Sequence, residues 1–334
     1  MKTGLVITTI NNFNKNLRNI DKLCFKNKWD FNVIGDAITP KNFKLNYGLY
    51  YNIGKQKKLN FKFSKICPVN NYARKNLGYL ILAKNDNEII VETDDDNYPK
   101  KEFFLKRILI HNTIEIKNKS WINIYKVFLK NKKNFIWPRG LPLDEILRSK
   151  PKLSKKKKSQ KFLLQQGVCD SNPDVDAIYR MYNKKLNIKF LDIKINLSNS
   201  LSTFNSQNTS WHISLLPLMY LPVTCSMRCT DIWRSLIALR IMKINNFNIL
   251  FHGPTVYQKR NKHNLENDFL QEVPMYVNNK KIYQILEQIP LKKGKHNFFK
   301  NLIKCYKILV KNNFFHKKEL KYLQAWNHDC KSLL

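Results

Sequence analysis

The sequence predicts an α/β fold with a mainly parallel sheet. Residues 4–10 and 31–34 are short, apolar and rich in β-branched side chains, as buried strands are, and residues 16–28 between them have one apolar face, as a helix does. Such a βαβ unit requires parallel strands, and parallel sheets bind ligands at the carboxyl ends of their strands. A third predicted strand, residues 88–92, is followed almost at once by the acidic run 94–96. We therefore expect a ligand site at this edge of the sheet.

Composition indicates a folded protein with an unusual charge. Hydrophobic residues make up 43% of the 334 residues, which argues against a disordered chain. The 60 Lys and Arg residues exceed the 24 Asp and Glu residues, giving a formal net charge of +36. Because the lysines are spread through nearly every segment, compositional drift is the favoured explanation, and we expect no stable nucleic-acid partner. Peripheral contact with an anionic membrane stays open, and the oligomeric state is not predicted.

Cysteine usage and hydropathy indicate a soluble cytoplasmic protein. The seven cysteines form no paired Cys-x-x-Cys motifs, which favours reduced thiols over disulfides or zinc ligands. The apolar stretch at residues 5–7 is too short for the core of a signal peptide. The longest apolar stretch, around residues 213–223, is interrupted by Pro217 and Pro222 and cannot span a bilayer.

The chain divides by pattern into two parts. We expect one α/β domain over residues 1–278 and a helical cap over residues 279–334, where apolar residues recur every three or four positions. Residues 149–161 are rich in lysine and almost free of apolar side chains. We predict that they form a mobile, solvated insertion in the first domain.

The acidic run Asp94, Asp95 and Asp96 is the strongest candidate for chemistry. Three adjacent carboxylates repel one another unless a cation offsets their charge. Mg²⁺ and Mn²⁺ are hard cations that take one or two carboxylates together with substrate phosphates. We therefore predict that Asp94 and Asp96 bind Mn²⁺ or Mg²⁺, and that Asp95 contacts the bound nucleotide. An exposed acidic turn is the alternative, because Asp-Asp-Asp-Asn is also typical of turns.

Other residues are predicted at the same sheet edge. Thr8 and Thr9 end the first strand and Asp36 follows the second, so we expect these three side chains to contact the cofactor. His252 follows a predicted strand at residues 248–251, which makes it a candidate third metal ligand. A structural histidine is the alternative interpretation.

A predicted helix at residues 76–83 leads into the third strand. Arg74 and Lys75 at its start are candidates for phosphate binding, and Asn76 is a candidate for close contact with a nucleotide. Basic residues at helix starts are common in this sequence, so this prediction is weak by itself.

Two rigid turns and a helix start complete the set of candidates. Arg139 lies in a Pro- and Gly-containing turn, and Asp176 ends a segment with four alternating polar positions. That segment has no central Gly and no closing Glu, which excludes an EF-hand. Asp231 begins a predicted helix, where an ordinary cap is the alternative to a functional acid. Turns that carry Arg and several carboxylates suit the recognition of a sugar and its diphosphate.

In order and approximate spacing, these motifs resemble the STELLO family of glycosyltransferase-like proteins over roughly residues 3–276. The matching strings are Trp137-Pro-Arg-Gly-Leu-Pro142, Gln165-Gln-Gly167 with Asp170, Pro173-Asp-Val-Asp176, residues 205–209, and Leu221-Pro222 leading to Asp231. A fainter resemblance extends to the reversibly glycosylated polypeptides, the UDP-arabinopyranose mutases, which similarly place an Asp triplet after a strand.

The resemblance implies a GT-A-like fold with a mixed, mainly parallel sheet, and a nucleotide-sugar donor that is most plausibly UDP-linked. It places Asp94 and Asp96 on the family's metal motif and Asp231 where an acceptor-side acid often lies. Asp231 or Asp176 would deprotonate the acceptor if the anomeric centre inverts. Arg139 matches the turn that carries the sugar in the mutases. The leading hypothesis is a glycosyltransferase with an unknown acceptor. The alternatives are a UDP-sugar mutase or self-glycosylating protein, and a non-enzymatic nucleic-acid-binding protein.

Overall fold

The computed structural model describes residues 1–131, 134–183, 186–261 and 263–334. Within these residues eleven strands form one mixed sheet with helices packed around it. The strands are β1 (Thr3–Thr9), β2 (Asp30–Gly35), β3 (Leu49–Tyr51), β4 (Ile89–Thr93), β5 (Asn97–Pro99), β6 (Ile110–Glu115), β7 (Lys158–Lys161), β8 (Leu164–Asp170), β9 (Lys194–Leu197), β10 (Asn208–His212) and β11 (Ile249–Gln258). The α-helices are α1 (Lys15–Lys26), α2 (Ile53–Lys57), α3 (Lys62–Ile66), α4 (Lys75–Lys84), α5 (Ile124–Phe128), α6 (Glu145–Arg148), α7 (Ala177–Tyr182), α8 (Thr230–Ile244), α9 (Leu265–Gln288), α10 (Phe298–Lys311) and α11 (Glu319–Lys331).

The strand order places several carboxyl ends at one edge. Across the sheet the order is β3-β2-β1-β4-β10-β8-β11-β9-β6-β7, with β5 paired to β11. Strands β3, β2, β1 and β4 are parallel, whereas β10 runs antiparallel to both of its neighbours. The predicted α/β class, with a mixed sheet and C-terminal helices, is confirmed. The arrangement agrees with the GT-A-like architecture that the resemblance implies.

The N-terminal βαβ unit forms where the pattern predicts it. Leu5, Val6 and Ile7 of β1 are fully buried, as expected of a strand covered on both faces. The side chain of Asn14 accepts a hydrogen bond from the backbone of Leu17 and caps α1, which satisfies a donor that the helix start leaves free. The observed bounds differ from the predicted ones by one or two residues, which is the usual uncertainty at helix and strand ends.

Helix α4 packs unusually close to the sheet. A Cβ atom at Gly78 would collide with the side chain of Val6 on β1, so only glycine permits this approach. The close contact brings Lys75, at the start of α4, beside the carboxyl end of β4, where its ammonium is 3.1 Å from the carbonyl of Thr93.

The C-terminal helices pack against the rest of the chain. Helix α9 runs from Leu265 to Gln288, so the boundary expected between residues 278 and 279 falls inside a helix. Ile282, Leu302 and Trp326 belong to the same buried cluster as Leu80 beneath the sheet. The helices therefore extend the main hydrophobic core. No helix in the described parts of the chain combines the length and the apolarity that crossing a bilayer requires.

The basic segment at residues 149–161, predicted to be a mobile and solvated insertion, is partly paired with the sheet. Its last residues form the edge strand β7, which pairs antiparallel with β6, and Leu153 bridges Ile116 further back. Most of its lysine side chains are exposed even though the backbone is paired. An edge strand needs partners for its backbone groups but no apolar side chains, and exposed lysines protect such edges from further pairing. Composition could not reveal this.

Candidate functional site

The carboxyl ends of β1, β2 and β4 border a cavity of about 550 Å³. Thr8 from β1, Asp36 after β2, and Asp94–Asp96 after β4 line one side of it. Arg139 and Asp231, which come from distant parts of the chain, line the same cavity. The sequence-predicted sheet edge is therefore a concave site, and the acidic run faces into it.

Asp94 has a buried cation beside it. The ammonium of Lys75 lies 3.3 Å from Asp94 Oδ1, and its side chain is fully buried, whereas the side chain of Asp94 is one-third exposed to the cavity. Lys75 also donates to the hydroxyl of Tyr72 at 3.0 Å. Lys75 is therefore held behind the carboxylate and does not project into the cavity.

The other two carboxylates are fixed by neutral donors. Asp95 accepts a hydrogen bond from the hydroxyl of Thr9 at 2.5 Å, which ties the end of β4 to the end of β1. Asp96 accepts from the side-chain amide of Gln258 at 3.0 Å and from the backbone of Asn261 at 3.2 Å. Asp95 thus connects two neighbouring strands of the sheet. The side chain of Asp96 is oriented by Gln258, the last residue of β11.

The negative charge of the acidic run is only partly offset by neighbouring cations. Burial raises the pKa of Asp94 to about 7; Lys75 acts in the opposite direction, but repulsion from Asp96 and Asp231 adds to the increase. Burial also raises the pKa of Asp96, in part against the hydrogen bond from Gln258. A divalent cation would favour the ionised form of both groups.

The donor set fits a cation that is shared with a phosphate. Among the described residues there is no group of three or more His, Cys, Asp or Glu side chains that could hold a metal ion. Mg²⁺ and Mn²⁺ at nucleotide sites use only one or two carboxylates, together with water and phosphate oxygens. Asp94 and Asp96 meet that requirement, whereas a metal held by protein alone would need more ligands.

Arg139 lies at the centre of a second, buried cluster. Its guanidinium donates to both oxygens of Asp174, at 2.8 to 3.1 Å, and to both oxygens of Asp231, at 2.9 and 3.0 Å. It also donates to the backbone carbonyl of Arg228. A guanidinium has five N–H groups, and these contacts engage all three of its nitrogens.

Arg139 also sets the ionisation of this cluster. Burial opposes the charged form of Asp231, but the guanidinium of Arg139 outweighs it and lowers the pKa of Asp231 to about 2. The same balance lowers the pKa of Asp174. Both carboxylates are therefore ionised at neutral pH, and both are weak bases.

Two further arginines line the cavity wall. Arg228 is held by Glu272 at 2.6 Å and Arg260 by Asp268 at 2.8 Å, both acids belonging to α9. Burial and repulsion from Arg228 lower the pKa of Arg260. Two cations crowded at one wall form a suitable contact for an anionic ligand such as a diphosphate.

Comparisons with known proteins find similarity to one family of glycosyltransferases. A family model described as STELLO glycosyltransferases matches residues 228–334, which begin at Arg228 on the cavity wall and include Asp231. Two proteins of Arabidopsis thaliana, "Probable glycosyltransferase STELLO2" and "Probable glycosyltransferase STELLO1", are each 24% identical to this chain over 324 residues, covering 90% of it. Both comparisons therefore find similarity to STELLO glycosyltransferases. It spans 41% of the length of each of these two relatives. The family match includes the C-terminal helices, beyond the region over which the motifs carried the resemblance.

The residues predicted to contact the cofactor do not all face the cavity. Thr8, Thr9 and Asp36 line the cavity, and Asp36 accepts hydrogen bonds from the backbone of the loop at residues 70–71. Arg74 borders the cavity, but it donates to Gln56 and to the carbonyl of Pro68. Its side chain supports the loop, and the expected phosphate contact has no support in this geometry.

Asn76 does not line the cavity. It is fully buried and exchanges two hydrogen bonds with the backbone of Leu221, at 2.8 and 2.9 Å. The prediction of nucleotide contact fails because Asn76 lies on the core-facing side of α4, where its amide fixes the distant segment that contains Leu221.

Asp176 is also a structural residue. It is fully buried, caps α7 through the backbone of Tyr179, and accepts from the indole of Trp137 at 2.6 Å. Asp174, two residues earlier, takes the position in the cavity that the sequence interpretation gave to Asp176. The predicted role of Asp176 as a catalytic base is corrected accordingly.

The structure does not bring His252 to the acidic run. Strand β11 continues past it through an irregularity between His252 and Val256 and ends at Gln258, so His252 is not at the strand end. Burial lowers the pKa of His252 to about 3, and the nearby charge of Arg107 adds to this effect. A neutral histidine among cations is a structural residue, which corrects the predicted metal ligand.

Several cavity residues were missed by sequence reasoning. The sequence shows that Asp174 is an acidic residue in a rigid segment, but no feature of the neighbouring sequence distinguishes its role from that of Asp176. The neutral contacts of the acidic run come from separate segments and have no motif of their own. These missed residues are Tyr72, Asp174, Ser206, Arg228, Gln258, Arg260 and Asn261.

Proposed function

We propose that this chain is a glycosyltransferase that moves a sugar from a UDP-linked nucleotide sugar to an acceptor hydroxyl with the help of Mn²⁺ or Mg²⁺. The observation that carries the proposal is the placement of Asp94 and Asp96 in a cavity at the carboxyl edge of the sheet. That edge is where α/β sheets bind nucleotides, and the family match favours sugar transfer over other nucleotide chemistry.

In this proposal, opposite walls of the cavity bind the two parts of the donor. The wall with Thr8, Asp36 and the exposed side chain of Ile38 would receive the nucleoside, since it combines polar groups with an apolar surface. Arg228 and Arg260 would contact the diphosphate, whose charge offsets their mutual repulsion.

Asp94 and Asp96 would hold the divalent cation against the diphosphate. When bound, the cation supplies neutralisation of the negative charge that develops on the leaving diphosphate. Lys75, fully buried behind Asp94, keeps one permanent positive charge beside that carboxylate. This charge favours the ionised form of Asp94 and prepares it to bind a cation.

The cluster of Arg139, Asp174 and Asp231 would orient the sugar or the acceptor. A carboxylate whose pKa is about 2 is a weak base at neutral pH, so Asp231 is suited to accept hydrogen bonds from hydroxyl groups more than to remove their protons. The expected role of Asp231 as acceptor base therefore has no support in its electrostatics.

Two observations weigh against the alternative functions. Attachment of a sugar to Arg139, as in a mutase, would require a free guanidinium, whereas this one is bound by two carboxylates and a carbonyl. A nucleic-acid groove would be lined by cations, but six aspartates line this cavity in addition to its arginines.

Donor binding by the full chain tests the proposal. Calorimetry with UDP-, GDP-, ADP- and CMP-sugars, with and without Mn²⁺, is expected to show binding of a UDP-sugar that depends on Mn²⁺. Changing both Asp94→Asn and Asp96→Asn should abolish this binding and leave the fold intact. Asp86→Asn is the matched control, because Asp86 is exposed on the loop before β4 and adopts a backbone conformation that asparagine tolerates. Equal donor affinity in the double variant and the wild type would contradict the proposal.

A further inference from the structure

The first residue of α11 binds a segment that is distant in sequence. Glu319 is fully buried, and its carboxylate accepts hydrogen bonds from the backbone N–H groups of Val223 and Thr224, at 2.7 to 3.2 Å. It also accepts from the hydroxyls of Thr224 and Tyr220, both at 2.6 Å. Burial raises the pKa of Glu319, and these hydrogen bonds act against the increase because they favour the ionised form.

Val223 connects this carboxylate with the candidate active site. Its N–H donates to Glu319, while its carbonyl accepts a hydrogen bond from the side-chain amide of Asn71 at 3.1 Å. Asn71 lines the cavity, and its backbone N–H donates to Asp36 at 3.0 Å. Three hydrogen bonds in series therefore connect α11 with the cavity wall that contains Asp36.

The segment at residues 70–74 depends on Asn71 for its shape. The side-chain oxygen of Asn71 accepts a hydrogen bond from the backbone N–H of Ala73 at 2.9 Å, and its backbone carbonyl accepts from that of Arg74 at 3.1 Å. Tyr72, between them, also lines the cavity. The position of this wall therefore depends on the side-chain amide of Asn71, whose partner is held by Glu319.

A buried carboxylate is better suited to fix a geometry than to stabilise a helix contact. Burying a charge costs free energy that an apolar side chain of similar size would not cost. A carboxylate that binds two successive N–H groups holds the backbone in one arrangement, because a satisfied polar network specifies a unique structure. Active sites need this precision, since a displacement of about 1 Å can cost about 10²-fold in rate even when it arises far from the reacting atoms.

We propose that Glu319 is a positioning residue for the nucleoside of the donor. Through Val223 and Asn71 it sets the place of residues 70–72 on the wall that includes Asp36. The identification of the ligand as a nucleoside rests on the proposed function. The connection between Glu319 and this wall stands on the hydrogen bonds alone.

The opposite wall of the cavity provides an internal comparison. Arg228 follows Thr224 by four residues, but its guanidinium is bound by Glu272 at 2.6 Å and its carbonyl accepts a hydrogen bond from Arg139. Neither contact passes through Glu319. A change at Glu319 should therefore affect the nucleoside wall more than the diphosphate wall.

Hydrogen exchange in the full chain, without ligand, tests the connection. Glu319→Gln keeps the shape of the side chain but places an NH₂ group against one of the donors, so residues 223–224 should shift. The amides of residues 70–74 should then exchange about tenfold faster, the effect of losing about one hydrogen bond. Tyr220→Phe is the matched control, because it removes a hydrogen bond from the same carboxylate but none from residues 223–224, and it should leave this exchange unchanged.

Calorimetry with two probes, UDP and inorganic pyrophosphate, tests the positioning role in the presence of Mn²⁺. Glu319→Gln should weaken UDP binding about tenfold and change pyrophosphate binding by no more than about twofold. Glu319→Asp is still charged but shorter by about 1.5 Å, so it should act in the same direction and repeats the test with the buried charge retained. A general loss of stability would weaken both probes alike.

The outcomes separate this proposal from the proposed function. Unchanged exchange of residues 70–74 in both Glu319 variants would overturn the connection. Unchanged affinity for UDP, an equal loss for UDP and pyrophosphate, or a loss in Tyr220→Phe as large as in Glu319→Gln would overturn the positioning role. Absence of UDP binding by the wild type would instead contradict the proposed function, and the exchange of residues 70–74 would still decide whether the connection exists.

Discussion

Two carboxylate clusters face the same cavity, and their ionisation is shifted in opposite directions. In the acidic run, burial and repulsion raise the pKa of Asp94 to about 7. In the second cluster, Arg139 lowers the pKa of Asp231 to about 2 although Asp231 is buried as well. The difference is the fixed counter-charge. A guanidinium contacts both carboxylates of the second cluster, whereas the buried Lys75 contacts only Asp94 in the acidic run.

The comparison shows that identical side chains in one cavity can have different functions. In the Arg139 cluster one guanidinium binds both carboxylates, which suits the cluster to a structural and orienting role. The acidic run has more negative charge than the protein offsets, so it gains most from a bound cation. Four predictions test this difference, from the largest expected effect to the smallest.

The first prediction removes the fixed counter-charge. Arg139→Met should lower the free energy of unfolding by about 3–5 kcal/mol, because it leaves Asp174 and Asp231 buried without the guanidinium that binds both. Urea unfolding measures the loss. The control is Arg148→Met, which removes an exposed ion pair with Asp144 and should change stability by no more than about 0.5 kcal/mol. Similar losses in the two variants would contradict the central role of Arg139.

The second prediction concerns acid pH. The pKa of Asp231 is lower in the folded chain than in an unfolded one, so its stabilisation is present above about pH 4 and is lost as the pH falls through about 2. Asp231→Asn should therefore cost about 2 kcal/mol at pH 6, with the two unfolding free energies converging toward pH 2. A difference that stays constant across this range would show that Asp231 is not the titrating group.

The third prediction concerns the acidic run, where stability depends on pH in the opposite direction. The pKa of Asp94 is raised in the folded chain, so the wild type loses stability as the pH rises through about 7. With a chelator present, Asp94→Asn should match the wild type near pH 4 and melt about 2–4 °C higher at pH 8, a small effect because Asp94 is partly exposed. A difference that grows toward acid pH would contradict this assignment.

The fourth prediction concerns the link between the clusters. The hydroxyl of Tyr72 lies 2.5 Å from that of Ser206, which donates to Asp231, and 3.4 Å from Asp94. Asp94→Asn and Asp231→Asn should therefore show a coupling of about 0.5 kcal/mol in a double-mutant cycle. In a Tyr72→Phe background the two effects should add. Undiminished coupling in that background would mean that the clusters interact through space and not through this hydroxyl.

Much of the sheet edge was predictable because its signals are local. The apolar strands, the helix between the first two, and the acidic run directly after β4 depend on residues that are near one another in the sequence. Parallel pairing then follows from the βαβ connection, so Thr8, Thr9, Asp36 and the acidic run meet at one edge. The residues that meet at this edge of the sheet could therefore be predicted from the sequence alone.

His252 shows where local signals mislead. Gly253 and Pro254 are typical of a chain that leaves a sheet, and they predict a strand end at Phe251. In the structure β11 passes through an irregularity at these residues and resumes, pairing with β5 at Val256. Tertiary pairing overrides the local preference, because proline is tolerated at a bulge. Gln258 therefore occupies the strand end and contacts Asp96.

By itself the sequence determined the α/β class, the acidic run at the sheet edge and the resemblance to the STELLO family. Only the tertiary structure decided that Asp174, and not Asp176, faces the cavity with Arg139. It also decided that the pKa of Asp94 is raised while the pKa of Asp231 is lowered. Periodicity and turn chemistry depend on neighbours along the chain, whereas the pKa of a carboxylate depends on burial and on charges within a few ångströms, whatever their distance in sequence.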